Sequence, residues 1–143
     1  MHDLLPTQER VARLGGNRGN RAPGVCRRCQ EDIEESKFHA FYSCPSSLAA
    51  STSLLTILRS QDPDLLFQDI LHLQLSVEAS RELSMVTAIL AGLQFIWEAR
   101  QDCKVAEPAR LKAELEARAH ILMQTRHQND GHVLNTMLGN FPL

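Results

Sequence analysis

Four residues near the start of the chain carry side chains that ligate metals: Cys26, Cys29, His39 and Cys44. Their spacing is Cys-x2-Cys, then nine residues, then His-x4-Cys. Three thiolates and one imidazole complete the tetrahedron that zinc prefers and leave no open position for a substrate. A Cys-x2-Cys turn brings both sulfurs to one ion while nearby backbone N–H groups support the thiolates. Nine residues are enough to carry the chain around the ion and return it as a helical turn. The expected cofactor is therefore a single structural Zn2+. The competing reading, three unrelated buried cysteines and a surface histidine, must place four suitable ligands within nineteen residues by chance.

The setting favours metal over crosslinks. The first 20 residues include Arg10, Arg13 and Arg18 and no apolar run typical of a secretory signal. The uncharged stretch Leu83–Trp97 contains Ser84, Thr87 and Gln94 and falls short of the roughly 20 apolar residues that span a bilayer. A nuclear or cytoplasmic protein, neither secreted nor membrane-bound, is expected. In those compartments clustered thiols stay reduced and more often hold metal than form disulfides.

A module of twenty residues cannot fold on apolar burial alone and must borrow metal-binding energy. Phe38, Phe41 and Tyr42 flank His39 and are the candidates for its small core. Residues 1–25 read as a basic leader or linker, broken by Gly15-Gly16-Asn17 and Gly19-Asn20, with a short turn possible around Thr7–Leu14. Residues 26–45 are the metal module, 46–130 a helical domain and 131–143 a tail.

The helical domain shows apolar steps of three and four. Ser46 or Ser47 can cap a helix carrying Leu48, Leu54, Leu55 and Leu58. Asp62-Pro63-Asp64 reads as a restart leading into Leu65, Leu66, Ile70 and Leu73. Ser76 caps the longest helix, expected over 77–102, with a stripe of Leu83, Val86, Leu90, Leu93 and Trp97 widened by Met85, Ile89 and Ile96. Glu107-Pro108 opens the last helix, whose inner face is Leu111, Leu115 and Leu122, and Asn129-Asp130-Gly131 is expected to end it. No strand is predicted. The fold class is mostly α, a small C2HC zinc module followed by a three- to four-helix C-terminal region.

The segment Cys26-x2-Cys29, Glu34-Glu35-Ser36, His39-Ala40-Phe41, Cys44-Pro45 resembles the zinc-binding region that follows the polymerase domain in LINE-type (non-LTR) retrotransposon reverse transcriptases. His2-Asp3-Leu4-Leu5-Pro6-Thr7, with Arg10, Arg13 and Gly15, is similar to the element leading into that finger. Ile89-Leu90-Ala91 and Ile96-Trp97-Glu98-Ala99-Arg100 are similar to a helix that follows it. The resemblance implies Cys26, Cys29, His39 and Cys44 as ligands and the C-terminal piece of such a protein. It implies nothing catalytic. The sequence contains no Asp-Asp pair to hold the two metal ions of a polymerase, and no carboxylate cluster spaced for an endonuclease.

No nucleophile is framed by a Gly-x-Ser-x-Gly or comparable arrangement, and Gly15–Gly19 is no phosphate loop, because no Lys-Ser/Thr follows it. The chain is expected not to be an enzyme. Its net charge of -2 hides a segregation: residues 1–30 hold six arginines against two acids, and residues 31–100 hold ten acids against four basic side chains. Arg10, Arg13, Arg18, Arg21, Arg27 and Arg28 are the candidate phosphate contacts. The leading expectation is weak, salt-dependent RNA or DNA binding by a zinc-held finger. The alternative is a docking module whose helices meet a polymerase domain or a host protein, a reading that the acidic middle favours.

Overall fold

A computed structural model of the protein describes residues 24–29, 33–72 and 74–143. After a short π-helical turn, His39–Ser43, come six α-helices: α1 (Pro45–Leu58), α2 (Phe67–His72), α3 (Val77–Ser80), α4 (Leu83–Gln101), α5 (Pro108–Met123) and α6 (Gln128–Leu138). Among the described residues there is no strand, only an isolated antiparallel bridge between Val25 and Glu34. No described helix is long and apolar enough to cross a membrane. The mostly α class with the Cys/His cluster ahead of the helices is as expected.

Helix starts follow local chemistry. Pro45 and Pro108 each sit in the first turn, where a fixed φ suits the helix and a missing N–H costs nothing. The cap of α1 is not a serine, however, but Cys44, in an extended conformation (φ -63°, ψ 131°). Ser47 instead lies buried inside α1 and donates to the carbonyl of Ala40 at 2.8 Å. Ser76 caps as expected, accepting from the Ala79 N–H at 3.1 Å.

Other elements differ from expectation. Asp62-Pro63-Asp64 forms a turn, closed by the Leu65 N–H on the Asp62 carbonyl at 3.1 Å, and α2 starts only at Phe67. The helix expected over 77–102 is two helices, because Glu82 is extended (φ -88°, ψ 110°) and resets the chain, so that Ala79 and Met85 both reach the core.

The largest revision concerns the C-terminus. α5 ends at Met123, and Asn129-Asp130-Gly131 opens α6 instead of ending a helix. Gly131 is there for close approach: a Cβ on it would lie 2.6 Å from the Met123 backbone nitrogen and 2.8 Å from the Ala119 carbonyl oxygen. Leu134, Met137, Leu138 and Phe141 of this last segment are all core residues. Ser53 ties it to α1 by donating to the Pro142 carbonyl at 3.1 Å.

α4 is the central helix and touches the π turn, α1, α3, α5 and α6. It buries Met85, Ala88, Ile89, Leu93 and Ile96 and leaves Leu90 52% exposed, so the face that enters the core is rotated from the expected stripe. Small residues decide this. A Cβ on Gly92 would lie 2.6 Å from Leu54 Cδ2, so the glycine leaves the space that the Leu54 side chain of α1 fills against α4. Tight helix contact outweighs the count of large side chains on a face.

Candidate metal centre

Three short pieces of chain each deliver part of one cluster. The first is a turn. Gly24 has a left-handed φ of 87°, which glycine adopts without strain. The Glu35 N–H donates to the Gly24 carbonyl at 2.6 Å, and the Cys26 N–H to the Ile33 carbonyl at 2.8 Å. This clasp presents Cys26 and Cys29. The second piece is the π turn carrying His39. Ser36 starts it, its hydroxyl accepting from the His39 N–H at 3.1 Å and its carbonyl from the Ala40 N–H at 2.9 Å. The third is the start of α1, where Cys44 is both helix cap and candidate ligand.

The π turn explains the His-x4-Cys spacing. In an ordinary α-helix, residues five apart point about 140° away from each other. An i→i+5 closure widens the turn and brings the fifth residue back over the first. The closing bond here runs from the Cys44 N–H to the His39 carbonyl at 2.8 Å.

All four side chains are buried, and their ligand atoms lie within 4.8 Å of one another. Cys26 Sγ approaches Cys44 Sγ at 3.9 Å, and Cys29 Sγ approaches His39 Nε2 at 3.5 Å. The other ring nitrogen, Nδ1, meets Ser43 Oγ at 3.3 Å. A hydrogen bond there fixes the ring and leaves Nε2 to face the sulfurs, the role outer partners of ligating histidines usually play. The Cys26 and Cys44 sulfurs lie within reach of a thiol hydrogen bond. The hydrogen bond from Cys44 pulls the Cys26 thiol well below its usual range; burial opposes this, and the backbone N–H groups of Cys29 and Arg28 reinforce it. Cys44 is pushed up by the same contact and by burial. Three thiols and an imidazole, all buried and converging this closely, could hold a metal ion, and a bound cation would displace their protons.

The flanking aromatics do not make a private core for the finger. Phe41 is buried and stacks on Trp97 of α4, with centroids 5.6 Å apart and planes 16° from parallel. Tyr42 reaches Phe67 of α2 at 4.7 Å and Phe38 at 5.3 Å. The finger is also bound to α4 by an ion pair: Arg100 donates to both carboxylate oxygens of the buried Glu35, at 2.6 and 3.3 Å.

Arg27 and Arg28, adjacent in sequence, have different fates. Arg27 is exposed. Arg28 turns inward, and its Nη2 donates to the Ala40 carbonyl at 2.5 Å and to Ser47 Oγ at 2.7 Å. Its Nε and Nη1 are buried without a hydrogen-bond partner. Arg10, Arg13, Arg18 and Arg21 lie outside the described residues. Sequence reasoning missed Ser43, Ser47 and the Glu35–Arg100 pair. Ser43 could have been found from its position one residue before a candidate ligand, whereas Arg100 lies too far along the chain to be paired by pattern.

Compared with known proteins, the chain matches no family model, no curated protein and no solved structure.

Proposed function

We propose that the chain is a zinc-stabilised, non-enzymatic binding module that holds RNA or DNA through the arginine-rich approach to its finger. The observation that carries the metal part is the convergence of four buried ligand atoms within 4.8 Å. Zinc–sulfur bonds of about 2.3 Å imply sulfur–sulfur edges of about 3.8 Å in a regular tetrahedron. The Cys26–Cys44 separation of 3.9 Å suits that figure. Three thiolates favour a soft or borderline ion over magnesium or calcium, which take oxygen. With four protein ligands the ion has no vacant position, so its role is to hold the fold.

The nucleic-acid part rests on charge segregation and on the resemblance to the retrotransposon finger region. Residues 1–23 carry four arginines against two acids, while residues 24–143 carry eleven basic against fifteen acidic side chains. Arg10, Arg13, Arg18, Arg21 and exposed Arg27 form the contact set; Arg28 is engaged inside. Five phosphate contacts give a log–log salt slope of about -4.5 on duplex and about -3.5 on single strands. Repulsion from the acidic body keeps affinity at about the micromolar level or weaker at physiological salt. Titrating labelled RNA and DNA at several salt concentrations is the test. Arg27→Ala should flatten the slope by about one unit for every sequence.

A second reading has its own support. Leu83, Val86 and Leu90 lie along a part of α4 that the core does not fully use, with Leu90 52% exposed. Together with the acidic body, this face favours docking to a protein such as a polymerase domain. Absence of nucleic-acid binding even at low salt would make docking the better account.

A further inference from the structure

A half-buried guanidinium with neutral hydrogen-bond partners and two buried, unpartnered nitrogens needs an explanation. The Arg28 guanidinium donates to a carbonyl and a hydroxyl, and its remaining nitrogens are buried with no partner. Burying a charge without an opposite one is costly. The segments that it joins carry three cysteines and a histidine. With a divalent ion bound, three thiolates and a neutral imidazole carry a net charge of -1, which is equally uncompensated. The burial that orphans the Arg28 nitrogens also closes them to an anion in the small cleft between Arg27, Arg28, Glu35 and Arg100, where Arg100 already serves Glu35.

We infer that Arg28 is the built-in counter-charge and clamp of the metal–thiolate centre, a positioning residue acting on all three ligand-bearing segments. The inference rests on the zinc reading above. Three placements support it. Arg28 lies between Cys26 and Cys29, so its backbone is part of the ligand turn. Its Nη2 bonds the carbonyl of Ala40, the residue after His39. It also bonds Ser47, whose own N–H donates to the Cys44 carbonyl at 2.8 Å. One side chain therefore joins the turn, the π turn and the start of α1. The role differs from that of Arg27, one residue away, whose side chain is exposed.

The test uses the full chain with Arg28→Lys, Arg28→Gln and Arg28→Met. Zinc affinity is measured by competition with a chromophoric chelator, and cobalt is substituted for zinc to read the sulfur-to-metal charge-transfer band. Losing an outer partner of a metal site typically costs about 10- to 100-fold in affinity. The Gln and Met variants should show that loss. Their charge-transfer band should move to lower energy, because thiolates without a nearby cation give up electrons more easily. The Lys variant should keep the band position and most of the affinity. Equal losses in Lys and Met with no band movement would reduce Arg28 to packing and overturn the counter-charge role. Unchanged affinity and band in the Met variant would overturn it outright. If Met fails to fold, the Lys and Gln bands still decide. A wild-type chain that takes up no zinc overturns the zinc reading itself, and this inference with it.

Discussion

The finger and the helical body differ in what they mainly bury, metal-ligating and ionisable groups in one and hydrocarbon in the other. Around residues 24–44 the buried side chains are Cys26, Cys29, His39, Cys44 and Glu35, polar or ionisable, together with Ala40 and Phe41, which join the apolar core of the body. In the body they include Leu54, Ile57, Leu58, Ile70, Ile89, Ile96, Leu111, Leu115 and Leu134. Hydrocarbon burial stabilises by about 25 cal/mol per Å2 without help from an ion. Converging thiols gain nothing comparable until a cation joins them. The body can therefore stand on its own apolar contacts. On the zinc reading proposed above, the finger depends on the ion and on two attachments to α4, the Phe41–Trp97 stack and the Glu35–Arg100 pair. Order in a small segment can thus be supplied from two sources, one inorganic and one borrowed from the neighbouring fold.

The strongest test of this contrast removes the metal. Structural zinc is worth about 10–16 kcal/mol to small finger peptides at neutral pH. Chelation, or Cys29→Ser, should abolish stoichiometric zinc and unravel the finger while most far-UV helical signal survives. Trp97 fluorescence should shift to the red as Phe41 leaves its ring. Full loss of helicity on chelation would break the contrast and make the body as metal-dependent as the finger.

A smaller effect is expected where the two regions join. Glu35→Gln leaves the Arg100 guanidinium, only 14% exposed, without its carboxylate. Breaking such a pair from one side costs about 3–5 kcal/mol. Denaturant unfolding followed through Trp97 should show that loss, with zinc stoichiometry unchanged. Unaltered stability would mean the ion pair adds nothing to what the metal and the Phe41–Trp97 stack already hold.

The smallest effect belongs to the body. Gly131→Ala places a methyl against the backbone of Met123 and Ala119, which cannot swing aside as a side-chain end could. Overpacking of this kind costs about 1–3 kcal/mol. Thermal unfolding should register it, and zinc affinity should not change. A stabilised variant would show that α5 and α6 are less closely apposed.

Sequence reading succeeded where the governing forces are local. Cys26, Cys29, His39 and Cys44 are recognisable because ligand type and spacing are properties of a short stretch, and the structure gathers all four. Pro108 and Ser76 act at helix starts through their own φ or hydroxyl, as expected, whereas α1 starts at Pro45 behind a Cys44 cap and not behind Ser46 or Ser47. Asn129-Asp130-Gly131 misled because the same glycine can end a helix or admit a neighbouring one. Nothing within its own segment says which.

On its own, then, the chain's sequence determined the metal donor set, the mostly helical class and the uneven placement of charge. These follow from residue types and short periodicities. The tertiary structure decided which face of α4 is core, that residues 128–138 form a packed helix, and that Glu35 finds Arg100 sixty-five positions away. It also separated Arg27 from Arg28, sending one to solvent and the other inward. Each of these outcomes depends on which distant backbone comes close enough to bury a group or satisfy a donor. That is settled only when the helices pack.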